Sequence, residues 1–238
     1  MDLLYPSINM NIPVYFLYTD EDNLNENWER LRQVAPWAEA VASIGTIFES
    51  HKHIASLCNS DRFYVVDADC WIVDGFTFDK QIELKPKYVA VFRAKNPVNG
   101  LVYGHGGIKL FSKDCFSAER LDRPDMTTSL ADGYIKLNIL ASEHRFNYTP
   151  YSTWRTAFRE AVKLSTGINK NNNDQESLDR LNMWLNAGLE AQYGYFAVHG
   201  ARQGEQYARS KDADFTIVND FDWLYNKFCK WVGLDGNR

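Results

Sequence analysis

The stretch Phe63-Tyr64-Val65-Val66-Asp67-Ala68-Asp69 decides how this chain is read, because four apolar, strand-forming residues run directly into two carboxylates two positions apart. Side chains at i and i+2 of an extended segment share one side, so both carboxylates can face one bound ion. An unbroken apolar strand is buried on both faces and belongs in the middle of a parallel sheet, and open α/β sheets bind ligands at the carboxyl ends of their strands. Oxygen-only ligands in that place suit a hard cation, Mn²⁺ or Mg²⁺, which leaves coordination positions for substrate phosphates. A single Asp at a strand end needs nothing beyond a turn to explain it. The second one, just ahead of Cys70-Trp71-Ile72-Val73, turns the reading toward a metal-diphosphate site.

Working outward, residues 12–18 form a first buried strand that gives way at Thr19-Asp20-Glu21-Asp22 to a polar turn. Tyr18 and Thr19, at that strand-to-loop edge, are candidates to seat a nucleotide base or ribose. Residues 25–34 and 46–57 read as helices before the acidic strand. The order strand, helix, helix, strand implies crossover connections and a parallel sheet. Further strands are expected at 88–92, 107–111 and 145–148, and helices at 128–141, 154–165, 174–191 and 223–232. The run Asn169-Lys170-Asn171-Asn172-Asn173 reads as a turn or mobile loop.

A chain of 238 residues accommodates one α/β domain, and an apolar content of 45% is enough for a core that needs no disulfides. The net charge of -5 and the absence of a long basic run exclude a strong, sequence-independent nucleic-acid footprint. Cys58, Cys70, Cys115 and Cys229 have no metal-ligand spacing and read as free thiols of a reducing compartment. No apolar run approaches membrane-spanning length and no secretory leader is evident, so a soluble cytoplasmic protein without membrane partners is expected.

With Asp67-Ala68-Asp69 in place, together with Gly104-His105-Gly106-Gly107-Ile108-Lys109-Leu110-Phe111 and His199-Gly200, the chain resembles the GT-A glycosyltransferases over about residues 11–205. The resemblance implies a Rossmann-like α/β fold with a mostly parallel central sheet flanked by helices, in a single domain with a helical C-terminal portion. It implies that Asp67 and Asp69 hold Mn²⁺ or Mg²⁺ against the diphosphate of a nucleotide-sugar donor, with a UDP-sugar expected. It further implies that Gly106 and Gly107 lie near the donor sugar and that His199 is a third metal ligand. Asp69 is the first choice as direct ligand, with Asp67 acting through water or on the ribose. The stretch Trp154-Arg155-Thr156-Ala157-Phe158-Arg159-Glu160 is also similar to glycosyltransferases of tailed phages, some of which decorate hydroxymethylated pyrimidines in DNA; that resemblance implies a modified-DNA acceptor and action in a host cytoplasm.

The remaining candidates come from the residues themselves. Gly200-Ala201-Arg202 is expected to open a helix whose free N–H groups, with Arg202, meet the diphosphate. In the helix beginning at Trp154, the positions Trp154, Ala157, Phe158, Ala161 and Leu164 form a core face, while Arg155, Arg159 and Lys163 form a basic stripe suited to a phosphate. An inverting reaction needs a carboxylate base, for which Asp132 is the first choice over Glu143, Glu160 and Asp174. Two rival classes share the acidic strand end: a haloacid-dehalogenase-type phosphatase with Asp67 as nucleophile, and a nucleotide-sugar binding module without turnover.

Overall fold

The acidic strand is the third, interior strand of a seven-stranded sheet of order β2-β1-β3-β6-β5-β7-β4. The computed structural model describes residues 11–78, 81–117, 126–166, 175–211 and 213–234. Its strands are β1 (Val14–Tyr18), β2 (Glu39–Ala42), β3 (Arg62–Asp67), β4 (Cys70–Ile72), β5 (Tyr88–Lys95), β6 (Val102–Ser112) and β7 (Gly133–His144). Its helices are α1 (Leu24–Val34), α2 (Ile47–Leu57), α3 (Met126–Leu130), α4 (Pro150–Thr166), α5 (Gln175–Asn186), α6 (Gly194–Ala208) and α7 (Phe221–Val232).

The sheet is mixed, which corrects the expectation of a mostly parallel one. β1 runs parallel to β2 and β3, and β5 parallel to β7, but β6 lies antiparallel between β3 and β5. The cause is the connection from β5 to β6, which is too short for a crossover helix and so forces the chain straight back. Asn96 closes it: Oδ1 accepts from the backbone N of Val98 at 2.8 Å, and Gly100 supplies the left-handed backbone at φ +74°. β4 follows β3 after only Ala68 and Asp69, yet it pairs antiparallel with β7 at the far end of the strand order. The sheet therefore curls, bringing the end of β7 round to the end of β3.

Alternation along the strands divides two apolar faces. Phe16, Tyr64, Val66, Ala90 and Leu110 pack toward Leu31 of α1, and Tyr15, Phe63, Val65, Val89 and Phe111 toward Ile54 of α2. The helix read at 46–57 is α2, and its start is a capping box in which Glu49 N donates to Thr46 Oγ1 at 3.2 Å. All four cysteines are buried free thiols.

Residues 128–141 do not form the expected helix: α3 ends at Leu130 and β7 begins at Gly133. Ile135, Leu137 and Ile139 turn toward the core while Tyr134, Lys136 and Leu140 are exposed, a two-residue period. Residues 145–148, expected as a strand, form the connection from β7 to α4. The expected loop at 169–173 lies outside the described residues. The helix opening at Gly200 is also corrected, since α6 starts at Gly194 and Gly200 lies inside it. There Gly200 and Gly204 let α6 lie directly on α4: an added Cβ would stand 2.5 Å from Trp154 O and 2.3 Å from Phe158 O.

Candidate functional site

The turn carrying the two aspartates is held by hydrogen bonds from three directions. Leu17 of β1 is level with Asp67, and Leu17 O accepts from Ala68 N at 3.0 Å. The buried side chain of Asn27, on α1, donates from Nδ2 to Ala68 O at 2.7 Å. Arg145, the residue after β7, donates its backbone N to Asp69 O at 2.6 Å. A turn fixed in this way presents its side chains in one arrangement, as a pre-organised binding site requires.

Each carboxylate has its own partner. Lys109 Nζ lies 3.3 Å from Asp67 Oδ2 and 3.4 Å from Oδ1. The Lys109 side chain is 4% exposed and that of Asp67 33%. The pairing Val65↔Lys109 in the β3–β6 ladder is the cause, since it puts Lys109 on the face of the sheet shared by Val65 and Asp67. His144 Nε2 lies 2.7 Å from Asp69 Oδ2, because the pairing Cys70↔His144 in the β4–β7 ladder places it beside the residue next to Asp69.

The electrostatics follow from this packing. Burial pushes the Asp67 carboxyl upward, Lys109 opposes that shift, and the like charge of Asp69 adds to it. Burial, then the two aspartates, push the Cys70 thiol well above its ordinary value, so it is no nucleophile. Beneath Lys109, burial and then the ammonium charge push His51 down to about 3, which keeps its imidazole neutral. His51 Nδ1 lies 2.8 Å from Ile47 O. On the connection from β7 to α4, burial pushes Tyr148 up to about 12; the charge of Arg155 opposes this, and Asp69, Glu21 and Asp20 reinforce it.

The structure brings together Tyr18 and Thr19 at the end of β1, Asp67 and Asp69 after β3, and Gly106 and Gly107 on the adjoining length of β6. Gly107 is one step past the pair Val66↔Ile108 and so comes level with Asp67. Three other candidates lie elsewhere. Asp132 precedes β7 and donates its backbone N to Lys87 O at 2.8 Å, which puts it at the opposite end of the sheet from Asp67. His199, inside α6, packs its ring 4.2 Å from that of Tyr195 and 5.8 Å from that of Trp231. Arg202 donates from Nε to Leu185 O at 3.0 Å.

The imidazole beside the aspartates is thus His144 rather than His199, and the cation beside them is Lys109 rather than Arg202. Lys109 was within reach of sequence reasoning: a Lys in an otherwise apolar strand, Ile108-Lys109-Leu110-Phe111, needs a buried anion. His144 depended on recognising β7.

Among the described residues no cluster of three or more His, Cys, Asp or Glu side chains forms a metal cage. The donor set nevertheless suits a hard dication carried by few protein ligands. Two adjacent carboxylates supply the oxygen donors, and both side chains keep solvent-exposed surface. No described helix is long and apolar enough to cross a membrane.

No protein-family model and no curated protein matches the sequence.

Proposed function

We propose that this protein is a glycosyltransferase that moves a sugar from a nucleotide-diphosphate donor to an acceptor hydroxyl. The observation that carries the reading is the Asp67-Ala68-Asp69 turn, fixed at the carboxyl end of a central strand beside the carboxyl end of β1, with a buried ammonium on one carboxylate and an imidazole on the other. Asp69 and Asp67 would hold Mn²⁺ or Mg²⁺. Bound there, the cation supplies positive charge against the leaving diphosphate. Lys109 opposes the cost of burying the Asp67 carboxylate, and His144 fixes the orientation of Asp69. The end of β1 at Tyr18 and Thr19 receives the nucleoside, and the bare backbone at Gly107 lets the donor approach the strand. A UDP-sugar is the donor to test first, and a hydroxymethylated pyrimidine in DNA the acceptor.

The test is incubation with a panel of nucleotide-sugars and Mn²⁺, measuring nucleoside diphosphate released with and without acceptor. Release from one donor, abolished by chelation and by Asp69→Asn, is the expected result. Release of phosphate from simple phosphoesters, with no nucleotide-sugar consumed, would favour the phosphatase chemistry instead.

A further inference from the structure

Two arginines of α4 have no salt-bridge partner among the described residues. Arg155 and Arg159 are spaced i, i+4, so their guanidinium groups share one side of the helix, an arrangement that is repulsive when nothing negative lies between. Their carbons lie 4.9 and 5.1 Å from the centre of the same ring, Phe221 at the start of α7. Arg155 also lies 5.4 Å from the Tyr151 ring. Arg159 is oriented by the chain after α6: its Nε donates to Val218 O and its Nη2 to Asn219 Oδ1 at 3.3 Å.

Arg155, like Arg180, has an unmatched buried nitrogen, but it is Arg155 that stands beside a second arginine on the same aromatic ring. Its Nε is buried and has no hydrogen-bond partner, and none of the ion pairs of the described residues includes it. A guanidinium offers five donors in a fixed fork, and burying one of them unmatched is costly. Stacking on Tyr151 and Phe221 holds the group in place but satisfies none of those donors. Burial and then the charge of Arg155 lower Arg159 to about 10, which leaves Arg159 cationic at neutral pH. The connection to the acidic turn is short: Arg145 bonds Asp69 O, and α4 begins at Pro150. Tyr148, between them, is under the charge of both Arg155 and Asp69.

We propose that Arg155 and Arg159 form a seat for a phosphoryl group of a substrate bound at the acidic turn, with Arg155 as the residue that grips it. The fork of Arg155 matches the edge of a phosphate, and the aromatic rings on which it rests exclude water from its back. The identification of the ligand as a substrate phosphate rests on the proposed function; the seat itself rests on α4 and α7. Two sources present this chemistry, the diphosphate of the donor and a phosphodiester of the acceptor.

The experiment is a thermal-shift titration with inorganic pyrophosphate in the absence of metal, using wild type, Arg155→Met, Arg155→Lys and Arg202→Met. Pyrophosphate is expected to raise the melting temperature of wild type and Arg202→Met. Arg155→Met should bind at least tenfold more weakly, and Arg155→Lys, which keeps the charge without the fork, should fall between. An equal response in wild type and Arg155→Met, or no response in wild type, overturns the proposal. If Arg155→Met does not fold, Arg155→Lys decides: a response equal to wild type overturns it, and a weakened one supports it. Repeating the titration with UDP and with a dithymidine phosphodiester identifies the source, as whichever ligand Arg155→Lys weakens. A pyrophosphate response that depends on Arg155, in a protein that consumes no nucleotide-sugar, would keep the seat and remove the glycosyltransferase reading.

Discussion

Replacing Gly204 by Ala tests whether α6 is built around contact with α4. In an isolated helix the change is favourable by about 1 kcal/mol, because Ala restricts the unfolded chain and Gly does not. In the folded protein the new methyl would stand 2.3 Å from Phe158 O and 3.0 Å from Phe158 Cα, where ordinary contacts begin at 3.4 Å. Those are backbone atoms of α4, so no side-chain rotation relieves the clash and the helices must separate by roughly 1 Å, loosening a core that holds Trp154 and Phe158 at 0% exposure. Overpacking of this kind costs about 1–3 kcal/mol. The two effects oppose each other, and packing wins: a net loss of about 1–2 kcal/mol is expected, read as a lower urea midpoint at unchanged slope. Gly200→Ala, with its methyl 2.5 Å from Trp154 O, should behave alike. A midpoint equal to or above that of wild type would mean that helix propensity dominates and that the close approach is incidental.

His51 gives a pH signature. Its folded value of about 3 lies below the ordinary 6.5, so between those limits the unfolded chain binds a proton that the native state does not. Stability from this residue is complete above about pH 6.5 and falls by up to about 1.4 kcal/mol per pH unit below it; urea melts from pH 7 to pH 4 should show a shallower acid loss in His51→Gln, and parallel curves would refute the assignment. Lys109→Met strands Asp67 without its ammonium. Since Asp67 is 33% exposed, the loss should be about 2 kcal/mol, below the 3–5 of a fully buried pair, and Asp67→Asn in the same chain should restore part of it; a double-mutant cycle with no coupling would contradict the pairing.

The parts of this fold that were legible in the sequence are those in which one local signal dominates. The apolar run into Asp67 specifies a buried strand, and the apolar positions of residues 46–57 specify a helix; both stand as read. β7 was missed because a short helix, α3, precedes it, and because the alternation of Ile135, Leu137 and Ile139 with Tyr134, Lys136 and Asn138 was overridden by good helix formers nearby. That error hid His144, whose approach to Asp69 depends on a register between strands distant in sequence. Gly200 was read as opening a helix although its role, like that of Gly204, is helix packing, which only the partner helix reveals. Asp132 and Arg202 carry the right chemistry in isolation, but the topology sends them elsewhere.

The most direct test of the central claim is the thermal stability of wild type and Asp69→Asn with UDP, Mn²⁺, both or neither. Asn can still accept the His144 hydrogen bond at Asp69, so the variant removes charge while keeping the turn. At a hundredfold excess over Kd a ligand specific for the folded state contributes about 2.7 kcal/mol, a rise of roughly 5–10 °C for a domain of this size. The account predicts that rise in wild type only when nucleotide and metal are both present, and its loss in folded Asp69→Asn. No metal-dependent rise with any nucleoside diphosphate, or an equal rise in Asp69→Asn, would contradict it.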